Sequence, residues 1–226
     1  MSTWISESWL RRGVLTSAAC LLAACEPTAG GGAGDSQGAN FLAQFGPSSK
    51  DTVPLKAARL AEGSVVVAAP EGYCIDPSSF RDRDGGAFAL VASCQILSGG
   101  KEGISVPPVI MTVTIAPEGT APAIPSSGAL AIAVGMNSVA GKSDADGIAM
   151  VQVSDGGDGV FTGADPQFWR GALRLHSRLV GLALYAPEGS SFVGLDGEIL
   201  LRRFAGRLKA QNPDPVTVAT KSLPHR

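Results

Sequence analysis

Asp165-Pro166-Gln167-Phe168-Trp169-Arg170-Gly171-Ala172-Leu173-Arg174-Leu175-His176-Ser177-Arg178-Leu179-Val180-Gly181-Leu182-Ala183-Leu184-Tyr185 is the stretch on which the fold turns. As a helix, its first half has an Asp N-cap, a proline in the first turn, and Arg170, Arg174 and Arg178 in one i, i+4 row. As a strand, the same residues pair with Arg178–Tyr185 across a tight turn at His176-Ser177. Gly171 weakens the helix, and no breaker separates the segment from the apolar run that follows. We read a hairpin.

Downstream, Phe192 to Ala210 has clear helical periodicity, with Val193, Leu200, Leu201, Phe204 and Leu208 on one face. Asp196 and Glu198 lie near its start and Arg202, Arg203, Arg207 and Lys209 near its end, which suits the helix dipole. Asn212-Pro213 stops it. Upstream, Ser64–Ala69 and Ala87–Cys94 are continuous apolar runs suited to buried strands. Val109–Ile115 alternates, placing Met111, Val113 and Ile115 on one face and two threonines on the other, and Ile148–Val153 is a further strand. Arg81-Asp82-Arg83-Asp84-Gly85-Gly86 reads as a solvated loop ending in a turn. The expected fold is therefore α+β: a mainly antiparallel sheet with the C-terminal helix packed on one face, because the helix's apolar stripe needs a large apolar partner.

Ala-Pro-Glu-Gly occurs at 69–72, 116–119 and 186–189, each time after an apolar strand. The spacing is irregular, so this is one turn chemistry used three times rather than a repeat. Glu71, Glu118 and Glu188 read as exposed turn residues. They would form a shared carboxylate site only if all three strand ends met at one edge of the sheet.

Near the N-terminus, Arg11-Arg12 precede twelve small or apolar residues that close in Leu22-Ala23-Ala24-Cys25. Twelve residues of helix span about 18 Å, too short for a permanent crossing of a hydrocarbon core about 30 Å thick. A basic n-region, a short h-region and small residues before a cysteine are the layout of a lipoprotein signal. Cys20 fits less well, because Ser17 occupies the position of a branched apolar residue. Residues 1–24 are thus the expected signal peptide and Cys25 the expected lipidation site, with Glu26 after it pointing to the outer rather than the inner membrane. An acidic residue and two tryptophans stand before the arginines, so initiation at the Leu10 codon is a plausible alternative start. Residues 25–60, rich in Gly and Ala, read as a flexible tether, 61–211 as the globular domain and 212–226 as a disordered tail.

Eighteen basic against twenty acidic residues give a net charge of −2, so neither nucleic acid nor an electrostatic membrane-binding face is expected. Apolar residues make up 45%, enough for one core. Cys20 and Cys25 belong to the signal. Cys74 and Cys94 reach an oxidising compartment if the signal is read correctly, and a disulfide is the expected outcome. The competing reading, a metal site, needs further ligands, and the histidines are only His176 and His225.

The Leu22-Ala23-Ala24-Cys25 box, Gly72-Tyr73-Cys74-Ile75-Asp76-Pro77 with Ala92-Ser93-Cys94, and Phe168-Trp169-Arg170-Gly171-Ala172-Leu173 with Arg178-Leu179-Val180 together resemble uncharacterised lipoproteins of alphaproteobacteria. The likeness covers most of residues 11–213. It implies an envelope lipoprotein and brings no activity with it. The order of elements is also similar, more loosely, to the Mog1/PsbP-like α+β sandwich.

No catalytic pattern emerges. His225 lies in the tail and His176 at the expected turn, and no Gly-x-Ser-x-Gly elbow exists. Ser98-Gly99-Gly100-Lys101 has Ser-x-x-Lys spacing, but its glycines oppose the helix that would join the two side chains. Asp155-Gly156-Gly157-Asp158-Gly159 fails the EF-hand spacing. Trp169 reads as a core residue. The expected function is non-enzymatic binding or scaffolding in the envelope, with no cofactor, and with the membrane and an envelope protein as partners. Carriage of a small ligand or lipid is the alternative, followed by a hydrolase with an unrecognised site.

Overall fold

The computed structural model describes residues 53–121 and 123–214. The expected signal, Cys25, residues 25–52 of the tether and residues 215–226 lie outside the described residues. Nine strands and three α-helices are described. The strands are β1 (Ala57–Leu60), β2 (Val65–Ala68), β3 (Tyr73–Arg83), β4 (Gly86–Ser93), β5 (Ile110–Ile115), β6 (Val139–Ala145), β7 (Ile148–Val153), β8 (Phe168–Leu175) and β9 (Arg178–Tyr185). The helices are α1 (Cys94–Leu97), α2 (Ser127–Val134) and α3 (Leu195–Gln211).

The hairpin reading holds: β8 and β9 pair antiparallel from Leu175–Arg178 to Trp169–Leu184, and His176 turns the chain with φ of 54°. They sit inside a seven-stranded antiparallel sheet of order β3-β4-β5-β9-β8-β7-β6. β1 and β2 form a separate two-stranded sheet. The run at 64–69 is therefore a strand, but it belongs to this small sheet and not to the large one.

The period-two alternation divides each strand between two faces. One face carries Met111, Val113 and Ile115 of β5, Val180, Leu182 and Leu184 of β9, and Trp169 and Leu173 of β8, all buried. Helix α3 and the β1–β2 hairpin cover it, through Leu200, Leu201, Phe204, Leu208, Leu60 and Val67. Gly197 makes the close approach possible. A Cβ there would lie 1.9 Å from the Phe192 carbonyl oxygen and 3.0 Å from the Trp169 ring. The indole Nε1 donates to the Gly194 carbonyl at 3.0 Å, which fixes the start of α3 over the sheet. At the other end Asn212 is 8% exposed. Its Oδ1 accepts from Val66 N at 2.8 Å, while Nδ2 donates to Val66 O at 2.8 Å and to Leu208 O at 2.7 Å. That side chain binds β2 as a paired strand would.

The opposite face is covered only in part. Ala131, with Leu130 and Val134 beside it, brings α2 onto this side, where Val151, Val153 and Phe168 are buried. Ser126 caps α2 by accepting from Ala129 N, and Gly135 ends it with φ of 92°.

Four expectations need correction. Ala57–Leu60, inside the expected tether, is a strand paired with β2. Arg81, Asp82 and Arg83 are not a loop but the outer end of β3, opposite Phe88, Ala87 and Gly86, with only Asp84-Gly85 turning. Charge belongs there because β3 is an edge strand. The C-terminal helix begins at Leu195, after a 3₁₀ turn at Ser191–Val193, and ends at Gln211. Asn212, the first residue of the expected tail, is part of the core.

Candidate functional site

Cys74 and Cys94 form a disulfide, with Cα atoms 4.8 Å apart. Cys74 lies second in β3 and Cys94 follows the last residue of its neighbour β4, so the bond links adjacent strands at one end of the sheet. Among the described residues, no group of three or more His, Cys, Asp or Glu side chains is placed to hold a metal ion.

The three turn glutamates do not converge. Glu118 meets the β8–β9 turn, accepting from Ser177 Oγ at 3.3 Å and lying 4.0 Å from the Arg178 guanidinium. Antiparallel pairing of β5 with β9 puts the ends of these two strands at opposite edges, so Glu188 is remote from Glu118. Glu71 precedes β3, which is three positions from β9 in the sheet, about 14 Å at the usual interstrand spacing. His176 is half-buried, and its Nε2 lies 3.1 Å from the Pro213 carbonyl oxygen, away from the Ser177–Glu118 contact. Ser98 caps its own turn: its Oγ accepts from Glu102 N at 2.9 Å. Trp169 is buried at 4% exposure, as a core residue.

Three surface features are left. The first is a cleft of about 750 Å³ along α3, floored by Tyr73, Val106 and Leu200. It shares Glu71 and Arg207 with a neighbouring hollow of about 470 Å³ that reaches Lys56. Burial pushes the Tyr73 phenol well above its ordinary value of 10.0, and its hydroxyl donates to the Pro107 carbonyl at 3.0 Å. That phenol supports the wall.

The second is the surface around α2. Residues 119–141 contain no charged side chain. Within them Ile124, Ile132 and Met136 are 68%, 69% and 65% exposed. Exposed apolar side chains normally stand among polar ones, and here three fall within one uncharged stretch of sequence.

The third is a trough of about 470 Å³ on the partly covered face of the large sheet. Its floor follows from the register: Phe88, Thr114, Gly181 and Ala172 stand side by side across β4, β5, β9 and β8. The next row is Leu90, Thr112, Ala183 and Arg170. Small side chains in the centre of both rows make the hollow. Tyr185 closes one end, its ring 4.9 Å from Phe168 and 5.0 Å from Phe161. Burial raises the Tyr185 phenol, and the nearby Arg170 guanidinium opposes the shift.

Sequence reasoning missed the trough and the α2 surface. A floor of Thr, Gly and Ala has no periodic apolar signal, and the register that aligns it is set by tertiary pairing. The α2 surface did have a signal, the absence of charge over residues 119–141, together with Ser126 and Gly135 as cap residues.

No protein-family model, curated protein or solved structure matches this chain.

Proposed function

We propose that the chain is an envelope lipoprotein, held at the membrane through Cys25, whose work is non-enzymatic binding or scaffolding of an envelope protein at the α2 surface. The carrying observation is the exposure of Ile124, Ile132 and Met136 on a segment without charge. Leaving three such side chains in water has no benefit to the isolated domain, whereas a partner that covers them gains about 25 cal/mol for each Å² of apolar surface removed from water. The Leu22-Ala23-Ala24-Cys25 box supports the anchoring half of this reading, as does the likeness to alphaproteobacterial lipoproteins. A photo-reactive amino acid at Ile132, introduced in living cells, should capture one discrete protein. The same probe at exposed Lys101 should not. A smear identical at both positions would refute the reading.

A second reading, carriage of a small apolar ligand, is favoured by the trough. Its lining is mostly apolar, the centre of its floor has small side chains, and its volume falls within the range of ligand pockets, about 300–1,000 Å³.

A further inference from the structure

We propose that the trough binds a long-chain carboxylate, its apolar body along the floor of β5, β9 and β8 and its head group paired with Arg170. This deepens the carriage reading of the same trough. Three observations carry it.

The first is charge. Arg170 is the only charged residue that lines the trough. It is exposed, and no salt bridge ties it to an acid among the described residues. Its guanidinium lies 5.6 Å from the Phe168 ring centre, so the aromatic face orients it without neutralising it. Arg174, four residues along β8 on the same face, adds a second exposed cation beyond the floor. An occupant with one negative end therefore fits, and a cationic one does not. Arg170 suits a carboxylate in particular, because the planar guanidinium donates to both oxygens at once.

The second is shape. Position 181, in the middle of the floor, is glycine. Its φ is not in the left-handed region, and a Cβ there would meet nothing closer than 3.9 Å, at Thr114. No backbone demand for glycine is visible at this site. What glycine does is keep the middle of the floor empty, and a larger side chain would fill it without straining the strand.

The third is asymmetry between the two faces. Helix α3 and the β1–β2 hairpin cover one face of the sheet, whereas Phe88, Thr114, Leu179 and Gly181 on the other remain partly or fully exposed. The apolar walls of Leu130 and Phe161 rise around that opening.

The test uses residues 25–226 with Cys25→Ser, so that no acyl group on the protein itself competes for the trough. The outcome is then independent of whether cells acylate Cys25. The probe is cis-parinaric acid, a long-chain carboxylate that fluoresces when sheltered from water, compared with its methyl ester. The acid should bind saturably with one site per chain. Arg170→Gln should weaken the acid about tenfold, the usual worth of a hydrogen bond to a charged group, and leave the ester unchanged. Gly181→Leu should abolish binding of both, with a melting temperature near that of the parent. Equal affinity for acid and ester, or an acid affinity untouched by Arg170→Gln, would overturn the assignment of the head group. Absence of saturable binding, or full binding by a folded Gly181→Leu chain, would overturn the trough as the site. Photo-capture of a protein at Ile132 is independent of all these results, so the two readings fail separately.

Discussion

Phe204→Ala against Arg203→Ala is the sharpest test of how α3 is held. The two residues are adjacent in sequence and opposite in circumstance. Phe204 is fully buried at 0% exposure, in the cluster that joins α3 to the large sheet and the β1–β2 hairpin. Arg203 is exposed on the rim of the cleft. Removing a buried phenyl ring loses its transfer free energy and leaves a cavity, together about 3–5 kcal/mol. Removing an exposed arginine side chain changes stability by about 0.5 kcal/mol or less. For a domain of this size each kcal/mol moves the melting temperature by about 2–4 °C, so Phe204→Ala should lower it by on the order of 10 °C. Arg203→Ala should move it by about 2 °C at most. Thermal and urea unfolding followed by far-ultraviolet circular dichroism gives both numbers. Equal shifts would mean that the inward face of α3 does not hold the helix to the sheet, and the description of the core would fail.

Three further outcomes follow from specific contacts. Asn212→Asp keeps the shape but turns both donors toward Val66 O and Leu208 O into acceptors, so it should cost about 1–3 kcal/mol in urea unfolding; an unchanged midpoint would contradict the capping role. Tyr73 and Tyr185 are the only two tyrosines, and burial raises both phenols above the ordinary 10.0. The folded chain then holds protons that the unfolded chain releases, so stability is full below about pH 10 and falls as the pH rises beyond it. Tyrosinate absorbance at pH 10 should therefore fall short of that of two free phenols while the dichroism is native, and ordinary titration of both there would refute the burial. Replacing Cys74 and Cys94 by alanine should destabilise the domain by about 3 kcal/mol for a separation of 20 residues, and two freely alkylated thiols in the native protein would sink the bond itself.

What the sequence made legible was the middle of the sheet. β5, β7, β8 and β9 are continuous or alternating apolar runs because both of their faces, or one whole face, are buried. The α3 stripe was legible for the same reason. The edges were not. β6 reads Val139-Ala-Gly-Lys-Ser-Asp-Ala and alternates between half-buried and exposed positions, so no apolar pattern exists to be found. The outer end of β3 is Arg81-Asp82-Arg83 because an unpaired strand edge is protected by charge. Helix α2 escaped notice because Ser127-Gly-Ala-Leu-Ala-Ile-Ala-Val is apolar on all sides, buried through Ala131 and exposed through Ile132. The disulfide was legible from the expected compartment and the cysteine count, whereas the trough depended on strand order and register, which local sequence does not encode.

The proposed envelope role starts from residence at the membrane through Cys25, and metabolic labelling tests that most directly. Cells fed an alkyne analogue of palmitate should label the wild-type chain, and Cys25→Ser should lose the label. Globomycin, an inhibitor of the lipoprotein signal peptidase, should cause the full-length precursor to accumulate. Persistent labelling of Cys25→Ser, or a wild-type chain that takes no label and runs as a soluble protein, would contradict the account.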